Sequence, residues 1–180
     1  MVQKMARANK HLENLNACIS ADINILQTVD QYKYLGVLFK SSGNFNSHVD
    51  ALSRGAGRAL GSVINKIHGL KDFGFNSYDK LFLSCVAPVL DYCSGIWGFK
   101  QYQACDNVQN RAIRYFLGVH RFAPVAAISG DFGWLPPRSR RWIHMLRYWN
   151  RLVNLNENRI SKIVFDVDYH NPRRIAGAVK

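Results

Sequence analysis

The stretch "SHVDALSRGAGRALGSVINKIHGL", Ser47–Leu70, sets Val49, Leu52, Ala56, Leu60, Val63, Ile67 and Leu70 at intervals of three and four residues. At 3.6 residues per turn, that spacing draws one apolar stripe down an α-helix of about six turns. Arg54, Arg58 and Asn65 fall on the opposite face. Gly55, Gly57 and Gly61 give the composition of a nucleotide-binding glycine loop, but such a loop joins a strand to a helix. Here the glycines lie inside a helical period, where close helix packing accounts for them.

Toward the N-terminus the period changes. "INILQTV" and "YKYLGVLF" are β-rich runs joined by Asp30 and Gln31, a hairpin that "SSGN" ends. Toward the C-terminus helical patterns continue. "NSYDKLFLSCVAPVLDYCSGIWG" begins a helix with Asn76 as cap and Asp79 in its first turn, and Pro88 should kink it. "CDNVQNRAIRYFLG" turns Cys105, Val108, Ala112 and Phe116 inward and Asn107, Asn110, Arg111 and Arg114 outward, with Gly118 placed to end it. "HRFAPVAAISGDFGWLPP" reads as a short helix between prolines and glycines. "RSRRWIHMLRYWNRLVNL" sets Trp142, Leu146, Trp149 and Val153 on an inward face and Arg140, His144, Arg147 and Arg151 on the other. "ENRISKIVFDVDYH" is a last amphipathic piece.

The predicted fold is therefore mainly α, a helical bundle with a short N-terminal β-hairpin. Residues 1–22 read as irregular or partly helical, 23–45 as the hairpin, 46–169 as the helical region and 170–180 as a basic, disordered tail. With 180 residues, 48% of them hydrophobic, one packed core is the expectation.

The formal net charge is +12, and between Lys100 and Lys162 eleven basic residues face three acidic ones. Self-repulsion of this size points to a polyanionic partner, nucleic acid before a membrane surface. Glutamate occurs only at Glu13 and Glu157, so the basic helix faces lack the interleaved signs of ordinary solvated helices. Arginine predominates over lysine from Arg111 onward, and its guanidinium grips phosphate in two-pronged fashion.

Chemistry of bond making finds little support. Two-metal phosphoryl transfer needs converging carboxylates, and the nearest approach is Asp166 with Asp168, which would share a face only if "VFDVDY" were a strand. The histidines are scattered without metal-ligand spacing, and Ser129 lacks the flanks of a nucleophile elbow. Cys18, Cys85, Cys93 and Cys105 form no CxxC pair and read as buried, reduced thiols. The first residues do not read as a secretory signal, and no apolar run is long enough for a membrane span. An intracellular protein, nuclear or cytoplasmic, is expected.

"QYKYLGVLFKSSGNFNSHV", the helix after it, "LSCVAPVLDYCSGIWG", "VQNRAIRYFLGVHRFAP", "AISGDFGWLPPRSRRWIHMLRYWNRL" and "SKIVFDVDY" follow one another as similar motifs do in reverse transcriptases of non-LTR (LINE-type) retrotransposons. The resemblance covers about Ile23 to Tyr169. It implies that Tyr34, Leu35 and Gly36 correspond to the primer grip at the palm's edge, and that the helices beyond form the thumb and adjoining region. It also implies that the catalytic aspartates, and the magnesium they would bind, belong to a palm this chain lacks, so that no cofactor and no polymerase activity is expected of the chain itself.

By this resemblance the partner is an RNA–DNA or DNA template–primer duplex, bound irrespective of sequence and with no small-molecule substrate. The expected contacts are Lys33, Tyr34, Leu35, Gly36, Arg54, Arg58, Arg111, Arg114, Arg140, His144, Arg147 and Arg151. A thumb without its palm should leave the hairpin edge with parts of Leu35 and Val37 uncovered, and self-associate through that surface. The alternatives are a sequence-specific helix-turn-helix built from "CDNVQNRAIRYFLG", "VHRFAP" and the short helix after it, and a remnant or interaction domain that binds no nucleic acid.

Overall fold

The computed structural model describes residues 29–70 and 73–170. The first strand expected from Ile23, the irregular segment 1–22, Cys18 and the tail from residue 171 lie outside the described residues. The chain is mainly helical, with a two-stranded antiparallel hairpin at its N-terminal side, as the patterning predicts.

The hairpin is formed differently from the expectation. "YKYLGVLF" is not one strand: β1 spans Gln31–Tyr34, β2 spans Val37–Lys40, and the chain reverses at Leu35 and Gly36. Both turn residues have positive φ, +45° and +83°, which is the mark of a type I′ turn. Gly36 adopts this conformation freely, whereas Leu35 is strained in it. Tyr92, on a loop far along the chain, compensates: its hydroxyl donates to the Leu35 carbonyl at 2.8 Å. The same ring leaves little room beside Gly36, where a Cβ would meet Tyr92 Cε1 at 3.2 Å.

Helix α1, Asn46–Ile67, follows the predicted stripe closely. Val49, Ala56, Leu60, Val63 and Ile67 are buried, Leu52 is partly buried, and Arg54, Arg58 and Asn65 face outward. Leu70 lies past the helix end and is exposed, a correction to the stripe's last member. His48 joins the buried face. Of the three helix glycines only Gly55 meets a neighbour, Val89 Cγ1 at 3.3 Å, so the packing explanation fails for Gly57 and Gly61.

The next helix is broken in the way its proline demands. Helix α2, Phe75–Leu81, is followed by a π-helical turn, Phe82–Val86, and then by α3, Ala87–Leu90. Pro88 has no N–H and its ring would collide with the carbonyl four residues back. The widened turn absorbs this, with the Ala87 N–H bonding to the Phe82 carbonyl. Gly74, not Asn76, precedes the first turn. Cys93 in the left-handed region then separates α3 from α4, Ser94–Trp97.

Helix α5, Gln103–Leu117, ends where predicted, at Gly118. Cys105, Val108 and Ala112 are buried and Phe116 partly so; Asn110, expected outside, is buried too. Helix α6, Val125–Phe132, is the short helix between Pro124 and Gly133. Two further helices follow among the described residues, α7 at Pro137–Val153 and α8 at Ile160–His170.

The described residues group into two compact units. The larger, Lys33–Phe39 with Asn44–Arg147, holds the core. In it α1 packs on α5 and on α3, while an aromatic cluster gathers Tyr78, Phe82, Phe116, Phe132 and Trp134. The Phe82 and Trp134 rings stack at 4.1 Å, and the Tyr78 hydroxyl donates to the Ala112 carbonyl at 2.8 Å, tying α2 to α5. The smaller unit includes residues 29–32, 40–43 and 148–170 among those described. There α8 buries no residue fully. Lys162 Nζ donates to the Val153 carbonyl at 3.0 Å and pairs with Asp166 at 3.1 Å. Because "VFDVDY" is helical, Asp166 and Asp168 do not share a face.

Candidate nucleic-acid interface

The expected contact residues separate into two sets. Arg54 and Arg58, one turn apart on α1, are exposed, and so is Arg111 on α5. Their helices are held by the core on the opposite side, so these guanidinium groups are presented on rigid supports. Arg147 and Arg151 on α7 are exposed as well. Among the described residues none of these five has a carboxylate partner; the ion pairs found there are Arg140–Asp91 and Lys162–Asp166. Lys33, Tyr34, Leu35 and Gly36 sit at the exposed tip of the hairpin, with Leu35 74% exposed. Val37, expected to be uncovered, is buried.

The second set is turned inward, and this corrects the expected orientation of α7. Arg140 Nε donates to Asp91 Oδ2 at 3.0 Å, and its Nη1 donates to Gln109 Oε1. Ser94 Oγ and His144 Nδ1 are hydrogen-bonded at 2.7 Å. Arg114 Nη2 donates to the Ala123 carbonyl at 3.2 Å, clamping the turn after α5. Arg141, not singled out from the sequence, is fully buried, with its guanidinium near the rings of Trp97 and Tyr102 at 5.5 and 5.9 Å. Conversely, Trp142, Leu146, Trp149 and Val153, expected in the core, are exposed.

The reason is the surface α7 meets. Asp91, Ser94 and Gln109 offer acceptors, and Trp97 and Tyr102 offer ring faces, so the basic side of the helix is the one that finds partners. The N-terminal part of this row is thus a structural element holding the Asp91–Ser94 corner. That corner also carries Tyr92, which supports the hairpin tip, and Trp97, whose Nε1 donates to the Tyr92 carbonyl at 2.9 Å.

Burial acts on several titratable groups of this core. It pushes the Cys105 thiol upward, opposed by the positive charge of Arg141. It likewise raises the Tyr102 phenol and lowers His48. Cys105 is buried as expected, but Cys85 is exposed and Cys93 partly so, which corrects the expectation of buried thiols for those two. No group of three or more His, Cys, Asp or Glu side chains capable of holding a metal occurs among the described residues. No helix of those residues is long and apolar enough to cross a membrane.

For a helix-turn-helix reading, α5 and α6 are indeed in contact. Ile128 and Phe132 of α6 are buried, and its exposed residues are Val125, Ala126, Ala127, Gly130 and Asp131. That surface has a carboxylate and lacks the Arg, Lys, Asn and Gln side chains that read base edges.

No protein-family model, no curated protein and no solved structure matches the chain.

Proposed function

We propose that the chain is a thumb-like piece of a reverse transcriptase of the non-LTR retrotransposon class, without catalytic activity of its own, and that it grips template–primer duplex through phosphate contacts. The observation that carries the binding reading is the set of exposed arginines without carboxylate partners among the described residues, Arg54, Arg58, Arg111, Arg147 and Arg151, on a chain of net charge +12. Arg54 and Arg58 are separated by about 6 Å along α1 at 1.5 Å per residue, a rigid pair suited to one strand of a backbone. Arg140 and His144 leave the gripping set, since their side chains hold Asp91 and Ser94. The motif order and the helical architecture with its hairpin support the family part of the reading.

The test is fluorescence anisotropy with a labelled RNA–DNA hybrid over a range of salt. Phosphate contacts make log affinity fall linearly with log salt, with a slope of about −0.9 per contact on B-form DNA. Replacing Arg54, Arg58 and Arg111 together by Gln should therefore reduce the slope by about 2 to 3 and weaken hybrid and random duplex DNA alike. The unfolding midpoint should stay unchanged, since these are exposed positions. A defined DNA duplex that outcompetes hybrid by orders of magnitude would overturn the thumb reading in favour of sequence-specific recognition. An unaltered salt slope in the triple variant would remove these arginines from any grip.

A further inference from the structure

A cleft of about 630 Å³ lies in the larger unit, bordered by Gln101, Asp106, Asn110, Trp134, Arg138 and Trp142. Its size is within the range of small-ligand sites. Asn110 gives it chemical direction. This residue is only 8% exposed and its carboxamide makes no hydrogen bond to a described residue, but its polar atoms are not sealed off and still reach solvent. Asn110 lines the cleft, so a ligand there would meet one donor and one acceptor side by side.

The rim adds more of the same chemistry. Gln101 Nε2 donates to Asp106 Oδ2 at 3.1 Å, leaving the Gln101 carbonyl oxygen and Asp106 Oδ1 as acceptors. Trp142 is half exposed, and the Arg138 guanidinium lies over its ring at 4.6 Å. A flat ring with donors and acceptors on its edge fits an aromatic wall beside a carboxamide, and Arg138 is the cleft's only cation among the lining residues. The strongly basic chain favours an anionic source for that ring.

We propose that this cleft takes a single unstacked nucleobase of a nucleotide, with its edge on Asn110, its face against Trp142 and its phosphate near Arg138. Flipped and single-stranded bases are held elsewhere by this combination of edge hydrogen bonds and aromatic stacking. The site goes beyond the duplex-gripping reading and uses none of its arginines.

The experiment titrates adenosine and cytidine monophosphates into the full chain and follows tryptophan fluorescence, with ribose 5-phosphate and inorganic phosphate as controls. Saturable quenching by the nucleotides and none by the controls is expected. Trp142→Ala should weaken nucleotide binding roughly tenfold, in keeping with the worth of one base–aromatic stack. Arg138→Gln should weaken it less and abolish the preference for the monophosphate over the nucleoside. Trp149→Ala, on the same helix but away from the cleft lining, should change nothing. All three side chains are exposed, so the variants should fold. Equal responses to ribose 5-phosphate, quenching indifferent to Trp142→Ala, or absence of saturable binding would each overturn the proposal. Loss of nucleotide binding with hybrid binding intact sinks only the cleft; hybrid binding abolished with nucleotide binding intact sinks only the duplex grip.

Discussion

Helices α1 and α7 have the same sequence grammar, apolar residues at three- and four-residue spacing on one side and arginines on another, and the protein uses them in opposite senses. On α1 the apolar stripe is the core, and Arg54 and Arg58 face water. On α7 Arg141 is fully buried and Arg140 is paired with Asp91, while Trp142 and Leu146 are exposed. Amphipathic spacing says that a helix has two faces and leaves open which one is inward. The neighbours decide. Helix α1 lies against α3 and α5, whose inward residues include Ala87, Leu90, Cys105, Val108 and Ala112. Helix α7 meets a carboxylate, a hydroxyl, a carboxamide and two aromatic rings.

The largest expected effect tests whether the Asp91 contact sets that orientation. Arg140→Met leaves Asp91, 6% exposed, as a buried carboxylate without its cation, and its Oδ1 already lacks a partner among the described residues. Breaking such a pair costs about 3–5 kcal/mol, readable as a fall in the urea midpoint. Arg141→Met is the contrasting variant. Among the described residues Arg141 has no carboxylate partner; its Nη2 donates to the Lys100 carbonyl at 3.5 Å, and its Nε and Nη1 are buried without hydrogen bonds. Losing its ring contacts costs about 0.5–2 kcal/mol, while removing an uncompensated buried charge repays much of that. The two arginines, adjacent in sequence, should therefore differ by about 2 kcal/mol or more. Equal losses would show that the Asp91 pair is not what turns the basic face inward.

A middling effect is expected where α7 comes closest to its neighbour. A Cβ on Gly98 would stand 2.9 Å from Arg141 Cβ and 2.5 Å from the Ser94 carbonyl oxygen, which itself accepts the Gly98 N–H. Neither atom is the free end of a side chain. Gly98→Ala should cost about 1–3 kcal/mol by overpacking. On α1, Gly57→Ala and Gly61→Ala meet nothing within 4 Å and should stabilise, since alanine is the better helix former by about 0.8–1 kcal/mol. Chemical denaturation of the three variants measures the contrast. A harmless Gly98→Ala would mean that α7 can retreat from the Ser94–Trp97 turn at little cost.

These examples mark what was legible in the sequence. The α1 stripe, the stop at Gly118 and the disruption around Pro88 rest on interactions within a few residues, and each was readable. The reversal at Leu35 and Gly36 was not, because a leucine in the left-handed region is held there by Tyr92, which is remote in sequence. The inward turn of Arg140 depends on Asp91 and Gln109, which no local pattern brings near it. Of the candidate interface, the exposure of Arg54, Arg58 and Arg111 followed from helical phase alone. Asn110 was misplaced because one amide at the border of a stripe, between Gln109 and Arg111, carries no sign of its side. The cleft could not be foreseen at all, since it draws on the α5 start, α6 and the Trp134–Trp142 segment together.

The smallest effect concerns one of the two polar residues, His48 and Ser53, on α1's buried side. His48 is buried, its ring edge-on to Trp97 at 5.9 Å, and its Nε2 has no partner among the described residues, so α1's contact is not purely apolar there. Burial disfavours the imidazolium and lowers the folded-state pKa below the ordinary 6.5. Between that lowered value and 6.5 the unfolded chain binds a proton that the folded chain refuses. Stability therefore rises with pH across this window, is complete above it, and is lost as pH falls through 6.5 toward the folded pKa. His48→Leu removes this dependence and leaves the other histidines in place. The difference in unfolding free energy between wild type and variant should shift in the variant's favour on going from about pH 7.5 to about pH 5. A difference that stays constant over that range would mean that His48 takes up its proton in the folded state as readily as in the unfolded one. In that event α1's inward face would tolerate charge much as α7's does, and the contrast between the two helices would lie in their partners alone.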